Sequence, residues 1–159
     1  MTLIKRFNSF PIEMFRIQNR IKPELRELKK QLALNRTSYD IKVHTDGLVY
    51  PAEGNSFKGP NGMSIRPMGY TLGKIVTSFP ENPVIFRITK GSLIPDSLVL
   101  LHEHSDHYSL QTSIPSTLED LNARLSNFLM EHECITLHEF NIEFAHFATS
   151  KTPDDGSYA

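Results

Sequence analysis

Between Thr45 and Gly69 the chain reads TDGLVYPAEGNSFKGPNGMSIRPMG, a run punctuated throughout by Gly, Pro and Asn. Proline removes a backbone donor and fixes φ, while glycine is costly to order inside a helix or strand. No long regular element can cross such a run, so it predicts a long ordered loop with one short strand at Gly47–Tyr50. Loops of this length inside a compact domain usually carry function. The run also divides the chain: one strand and one helix pattern precede it, and mostly strand patterns follow. That order points to a mixed α+β domain and away from a regular βαβ alternation.

The elements on either side follow from periodicity. In SFPIEMFRIQ, Ile12, Met14 and, beyond Arg16, Gln18 share one face, with Phe15 and Ile17 on the other, so it reads as a strand. Pro23 opens a predicted helix in PELRELKKQLALN, where Leu25, Leu28 and Leu32 recur at helical spacing. A short helix is expected around 70–77. PVIFRIT, SLVLLHE, HYSLQTS and CITLHEFNIEF read as strands. Between the last two, Ser116 and Glu119 in STLE form a capping box before a stripe of Leu118, Leu121, Leu125, Phe128 and Leu129. One domain is expected over residues 1–148, with a flexible tail over 149–159.

A chain of 159 residues is long enough for one buried core. Its single Cys134 excludes an intrachain disulfide framework and a thiolate metal cage, and reads as a small buried apolar group. No apolar run approaches the length of a membrane span, and MTLIKRFNSF lacks a secretory pattern, so a cytoplasmic protein with no membrane partner is expected. Residues 1–90 carry 15 Lys/Arg against 7 Asp/Glu, and residues 91–159 carry 2 against 11. The basic half complements the acidic half as readily as it attracts phosphate, and nucleic acid is not an expected partner.

The segment HEHSDH at 102–107 has the spacing of a hydrolytic metal site, with His102, His104, Asp106 and His107 as its ligands. Such a site leads into a Gly-containing loop and helix, whereas here YSLQT continues as a strand. The favoured expectation is therefore strand histidines flanking a hairpin turn at Ser105-Asp106, with no metal. A metal-dependent hydrolase is the alternative.

Taken with their neighbours, Asp46-Gly47-Leu48, Gly62-Met63-Ser64, Ile94-Pro95-Asp96 and His107-Tyr108, with the weaker Met14-Phe15-Arg16, resemble a known family. The chain is similar over roughly residues 10–130 to type VI secretion effector toxins with an ADP-ribosyltransferase-like fold, which have bacterial and fungal relatives. The resemblance implies two small mixed or antiparallel sheets with flanking helices, a cleft between them, and NAD as co-substrate. It implies a toxin acting inside cells on a target it does not identify, and leaves open a neutralising immunity-type protein. By position it makes Arg16 the first-strand arginine, Ser64 the hydroxyl residue after glycine, and His107 the late-strand histidine. These three are the expected catalytic residues.

Two departures accompany the resemblance. Met63 stands where the bacterial toxin has a second hydroxyl, and Gly54-Asn55-Ser56 offers a second register. Glu139 and Glu143 stand at the wrong interval for the Glu/Gln-x-Glu motif of better-known transferases. A non-catalytic, partner-binding relative is thus the remaining alternative.

The chemistry of these residue types suits NAD. A guanidinium grips two phosphate oxygens in a planar fork, which suits Arg16 and, as a second contact, Arg66. Gly62, Met63 and Ser64 would bring backbone N–H groups and a hydroxyl to the ribose or the nicotinamide amide. A neutral His107 would accept from a ribose hydroxyl. Ser109 and Gln111 share its face at period two, and Tyr108, Tyr70 and Phe57 are candidates for stacking. The expected cofactor-binding set is Arg16, Gly62, Met63, Ser64, Arg66, Tyr108, Ser109 and Gln111.

Overall fold

A computed structural model describes residues 5–150. Its elements run β1 (Lys5–Phe7), β2 (Met14–Gln18), α1 (Leu28–Ala33), β3 (Met63–Ile65), α2 (Tyr70–Ser78), β4 (Val84–Ile88), β5 (Leu98–His104), β6 (His107–Thr112), α3 (Leu118–Met130), β7 (Glu133–Ile135) and α4 (Leu137–Ser150). The strands form two antiparallel sheets of order β1-β5-β6-β3 and β2-β4-β7. The class is α+β, as the sequence predicts.

The two sheets meet at one seam. Phe15 N–H donates to Arg66 C=O (2.7 Å) and Arg66 N–H donates back to Phe15 C=O (3.2 Å). Strand alternation then sends β2 side chains to two different cores. Met14 joins Phe86, Ile88, Met63, Leu110 and the α3 stripe of Leu121, Leu125, Phe128 and Leu129. Phe15 and Ile17 join Leu72 and Val76 of α2 and Phe140 of α4. Gly62 sets how closely β3 lies against β6: a Cβ there would sit 2.3 Å from the Leu110 carbonyl oxygen. The side chain is absent because the space is taken by backbone, not because a left-handed φ is needed.

Several expectations are corrected. The predicted helix from Pro23 shrinks to α1, because Arg26 C=O accepts from Asp40 and Ile41 and Leu28 N–H donates to Ile41 C=O, holding the chain before it extended. Leu25 is buried outside the helix and Leu32 is exposed. The expected strand at Gly47–Tyr50 is reduced to a bridge between Val49 and Ser116, while Met63–Ile65, read as loop, forms β3.

The α3 cap lies one residue later than predicted: Thr117 Oγ1 accepts from Asp120 N–H, and Ser116 pairs with Val49 instead. CITLHEFNIEF is a strand only through Ile135. Thr136 and Glu139 then cap each other's N–H groups and start α4, a capping box in TLHE that the alternating pattern concealed. That helix includes Thr149 and Ser150 of the expected tail; the rest of the tail and residues 1–4 lie outside the described residues. Cys134 is exposed, at an edge strand, rather than buried.

These assignments are open to denaturation experiments. Leu125→Ala should cost roughly 2–5 kcal/mol of unfolding free energy, from a fully buried stripe position. Thr117→Ala should cost about 1 kcal/mol. Glu119→Gln should stay within about 0.5 kcal/mol, since Glu119 closes no box. A larger loss at Glu119 than at Thr117 in urea titrations would restore the earlier cap.

Candidate functional site

Arg16 lies on the β2 face that looks across the seam toward β3. Its Nη1 donates to the Ser64 carbonyl (3.0 Å) and its Nε to Gln18 Oε1 (3.0 Å). Gln18 is fixed in turn by donating to the carbonyls of Arg20 (2.8 Å) and Ile21 (3.1 Å). No hydrogen-bond partner occupies Nη2 among the described residues. Arg16 keeps some exposed surface, yet the protein encloses its charge enough that burial lowers the pKa to about 10, well below the usual arginine value. Asp40 opposes this shift and Arg26 reinforces it. The group is still a cation at neutral pH. Because the folded pKa lies below the unfolded one, burying that charge costs stability at every pH below about 10. An anion beside it would offset the cost.

Ser64 and His107 meet from neighbouring strands. Ser64 Oγ and His107 Nε2 are 3.1 Å apart. On the other side of the ring, His107 Nδ1 lies 2.9 Å from Glu103 Oε1. These two atoms are in ion-pair contact but not in line for a directed hydrogen bond, and neither has another hydrogen-bond partner. Glu103 is only 1% exposed. A contact chain therefore runs Arg16–Ser64–His107–Glu103, drawing on both sheets.

The structure brings Arg16, Ser64 and His107 into contact with one another. It separates other expected contacts from them. Met63 is fully buried in the core and Tyr108 is 7% exposed there, both on the opposite face of the sheet from Ser64 and Ser109. Alternation is the reason: neighbours of a strand residue point away from it. Gly62 N–H is already used, donating to the Asp40 carbonyl (2.9 Å). Ser109 and Gln111 lie on the expected face but hold the protein together. Gln111 Oε1 accepts from Ala52 N–H (3.0 Å) and Asn61 Nδ2 (2.9 Å), while its Nε2 donates to Ser109 Oγ (3.0 Å). Arg66 is near Asp106 (3.6 Å), and its enclosure lowers its pKa. Tyr70 contacts Phe144 and Phe147, and Phe57 contacts His104.

The histidines of the 102–107 run do not face one point. The β5 register shifts between His102 and His104, leaving Glu103 with no register partner on β6. His102 stacks on Tyr108 (4.0 Å) and contacts the Ser105 carbonyl (2.6 Å), whereas His104 stacks on His107 and meets Phe57 edge-on. Asp106 turns to Arg66. Ser105 and Asp106 form the hairpin turn, Ser105 at φ 45°.

Glu103 is the residue that the sequence reading missed. A signal for it existed: in SLVLLHE it stands two positions after Leu101, in line with a buried strand face. It also lines a cavity of about 580 Å³ roofed by the Gly/Pro-rich loop, whose other lining comes from residues 39–61, including Tyr39, Lys42, Phe57 and Lys58. Ser56, from the second register, lines that cavity too. Glu103 is the only member of the contact chain that the cavity shares.

Gln111 offers a check on how the roof is held. Gln111→Leu removes the acceptor of two donors and should cost about 1–3 kcal/mol. The Ala52 amide should then exchange with solvent markedly faster. Unchanged protection at Ala52 would show that the loop is held elsewhere.

A family model described as Tse2 ADP-ribosyltransferase toxin matches residues 12–140, a span containing Arg16, Ser64, Glu103 and His107. No curated protein and no solved structure matches the chain.

Proposed function

From a chain that belongs to the Tse2 ADP-ribosyltransferase toxin family, we propose an effector-type toxin that acts inside cells and takes NAD as substrate at the Arg16–Ser64–His107 cluster. The observation that carries this reading is the meeting of these three residues, distant in sequence, at the seam of two sheets: Arg16 Nη1 donates to the Ser64 backbone carbonyl (3.0 Å), and Ser64 Oγ lies 3.1 Å from His107 Nε2. A cluster of this kind pairs an anion grip with a hydroxyl–imidazole couple.

Arg16 is the anion grip. Its Nη1 and Nε are spent on holding its own plane, and Nη2 is left to donate to a phosphate oxygen. Charge-assisted contacts of this type are stronger than neutral ones. A desolvated cation gains most from such an anion, which is the fit that the lowered pKa supports. The adjoining cavity lies in the range of about 300–1,000 Å³ typical of small-molecule sites. Its lining carries Lys42 and Lys58 together with Asp46, Glu53 and Glu103.

Cleavage of the nicotinamide–ribose bond places positive charge on the sugar. Groups aimed beforehand at that charge lower its cost without reorganising. Ser64 and His107 supply polar atoms, and the buried Glu103 supplies negative charge beside them. The reaction outcome, ADP-ribose passing to a cellular target or to water, depends on which acceptor reaches the same carbon. A neutralising protein covering this seam would block both outcomes.

Nicotinamide release from NAD, read alongside growth of cells expressing each variant, tests this reading. Arg16→Ala, Arg16→Lys, Ser64→Ala and His107→Ala should each abolish toxicity with the fold retained. Loss of the charge-assisted contact at Arg16 should weaken binding by about 1.5–3 kcal/mol, roughly tenfold or more. ADP-ribose at about a hundred times its Kd should stabilise the wild type by about 2.7 kcal/mol and Arg16→Ala far less at the same concentration. Equal stabilisation of both proteins would remove Arg16 from the site.

A further inference from the structure

The buried carboxylate of Glu103 has no expected role. Resting on the reading above, we propose that Glu103 is a positioning residue that sets the tautomer of His107. With the proton drawn to Nδ1 by the charge of Glu103 in ion-pair contact, Nε2 is left bare to accept from the Ser64 hydroxyl.

Three observations point this way. Glu103 is 1% exposed and its Oε1 is 2.9 Å from Nδ1, so the carboxylate faces the ring from inside the protein. A buried charge is retained only where something compensates it. No other ion pair or hydrogen bond reaches Glu103 among the described residues; Arg66 lies near enough only for a weaker attraction. Finally, Ser64 Oγ lies 3.1 Å from Nε2, where a bare nitrogen makes the serine the donor and a protonated one makes it the acceptor.

The order acid–imidazole–hydroxyl is the one that orients a histidine in serine hydrolases, where the acid fixes the ring and stabilises the imidazolium. The same logic answers a difficulty specific to glycosidic cleavage. A lone imidazolium would repel the positive charge developing on the ribose. An imidazolium paired with Glu103 is neutral overall. As a hydroxyl approaches the electron-poor carbon, its proton passes to Nε2, its oxygen bonds to that carbon, and the bond to nicotinamide breaks with its electron pair leaving on nitrogen. The register shift between His102 and His104 belongs to this device, since it leaves Glu103 unmatched on β6, beside the ring of His107.

The test uses the full chain, with ¹⁵N-labelled histidine followed by NMR and NAD supplied for nicotinamide release. Wild-type His107, identified by its loss in His107→Gln, should carry its proton on Nδ1. In Glu103→Leu the Nε2–H form should take over. Glu103→Gln, which keeps the shape and removes the charge, should lower kcat by at least about tenfold with KM for NAD within about twofold, and Glu103→Asp should recover part of the rate.

A wild-type ring protonated on Nε2, or a Glu103→Gln enzyme with the wild-type kcat, would overturn the proposal. If Glu103→Leu does not fold, the wild-type spectrum and Glu103→Gln decide. If the wild type releases no nicotinamide and does not bind NAD, the substrate reading fails. The tautomer spectra still decide whether Glu103 orients His107.

Discussion

The two hydrogen bonds between the backbones of Phe15 and Arg66 join β2 to β3 and so join one sheet to the other. Everything at the site is measured from them. Arg16 follows Phe15 by one residue, and Ser64 precedes Arg66 by two, so the seam sets the guanidinium within reach of the Ser64 carbonyl. The same bridge decides the interior. With β2 held between two layers, Met14 fills one core while Phe15 and Ile17 fill the other. A strand buried on both faces has no solvent side to absorb an error of register. A slip by one residue would exchange the cores and turn Arg16 into apolar surroundings.

Away from the seam, the loop-covered face of the larger sheet is unusually polar for a buried surface. Glu103, Ser109 and Gln111 are each at most 2% exposed. Two of them are satisfied by structure: Gln111 ties Ala52 and Asn61 of the loop to β6 and also donates to Ser109. A buried amide left without partners would be costly, so these bonds explain how a segment rich in Gly and Pro stays ordered over the sheet. Glu103 alone faces an ionisable ring. Structural and functional polarity thus share one face, and sorting them required the partners of each atom.

Much of the fold was legible from local pattern. The β4, β5 and β6 strands, the hairpin turn at Ser105-Asp106, α2 and the buried stripe of α3 all follow from periodicity and turn chemistry between near neighbours. Where the pattern misled, a distant partner intervened. Residues 24–27 have helical spacing but pair with the chain at Asp40 and Ile41. Ser116 fits a cap but bonds to Val49. In TLHE the conflict was local: alternation suggested a strand, and the capping box that overruled it was present in the sequence.

For the candidate site, the resemblance to a toxin family nominated Arg16, Ser64 and His107, and the structure places them in contact. Sequence also determined which face Ser109 and Gln111 occupy, because alternation is a property of the extended backbone itself. It did not determine that Met63 and Tyr108 would be core, since either face of β3 or β6 could have been turned inward until the sheets were joined. Nor did it disclose the partnership of Glu103 with His107. That pairing goes with a register shift in the β5–β6 hairpin, which leaves Glu103 without a partner on β6. Local chemistry chooses the elements; the contacts between elements far apart in the chain choose their faces, and with them which polar atoms meet.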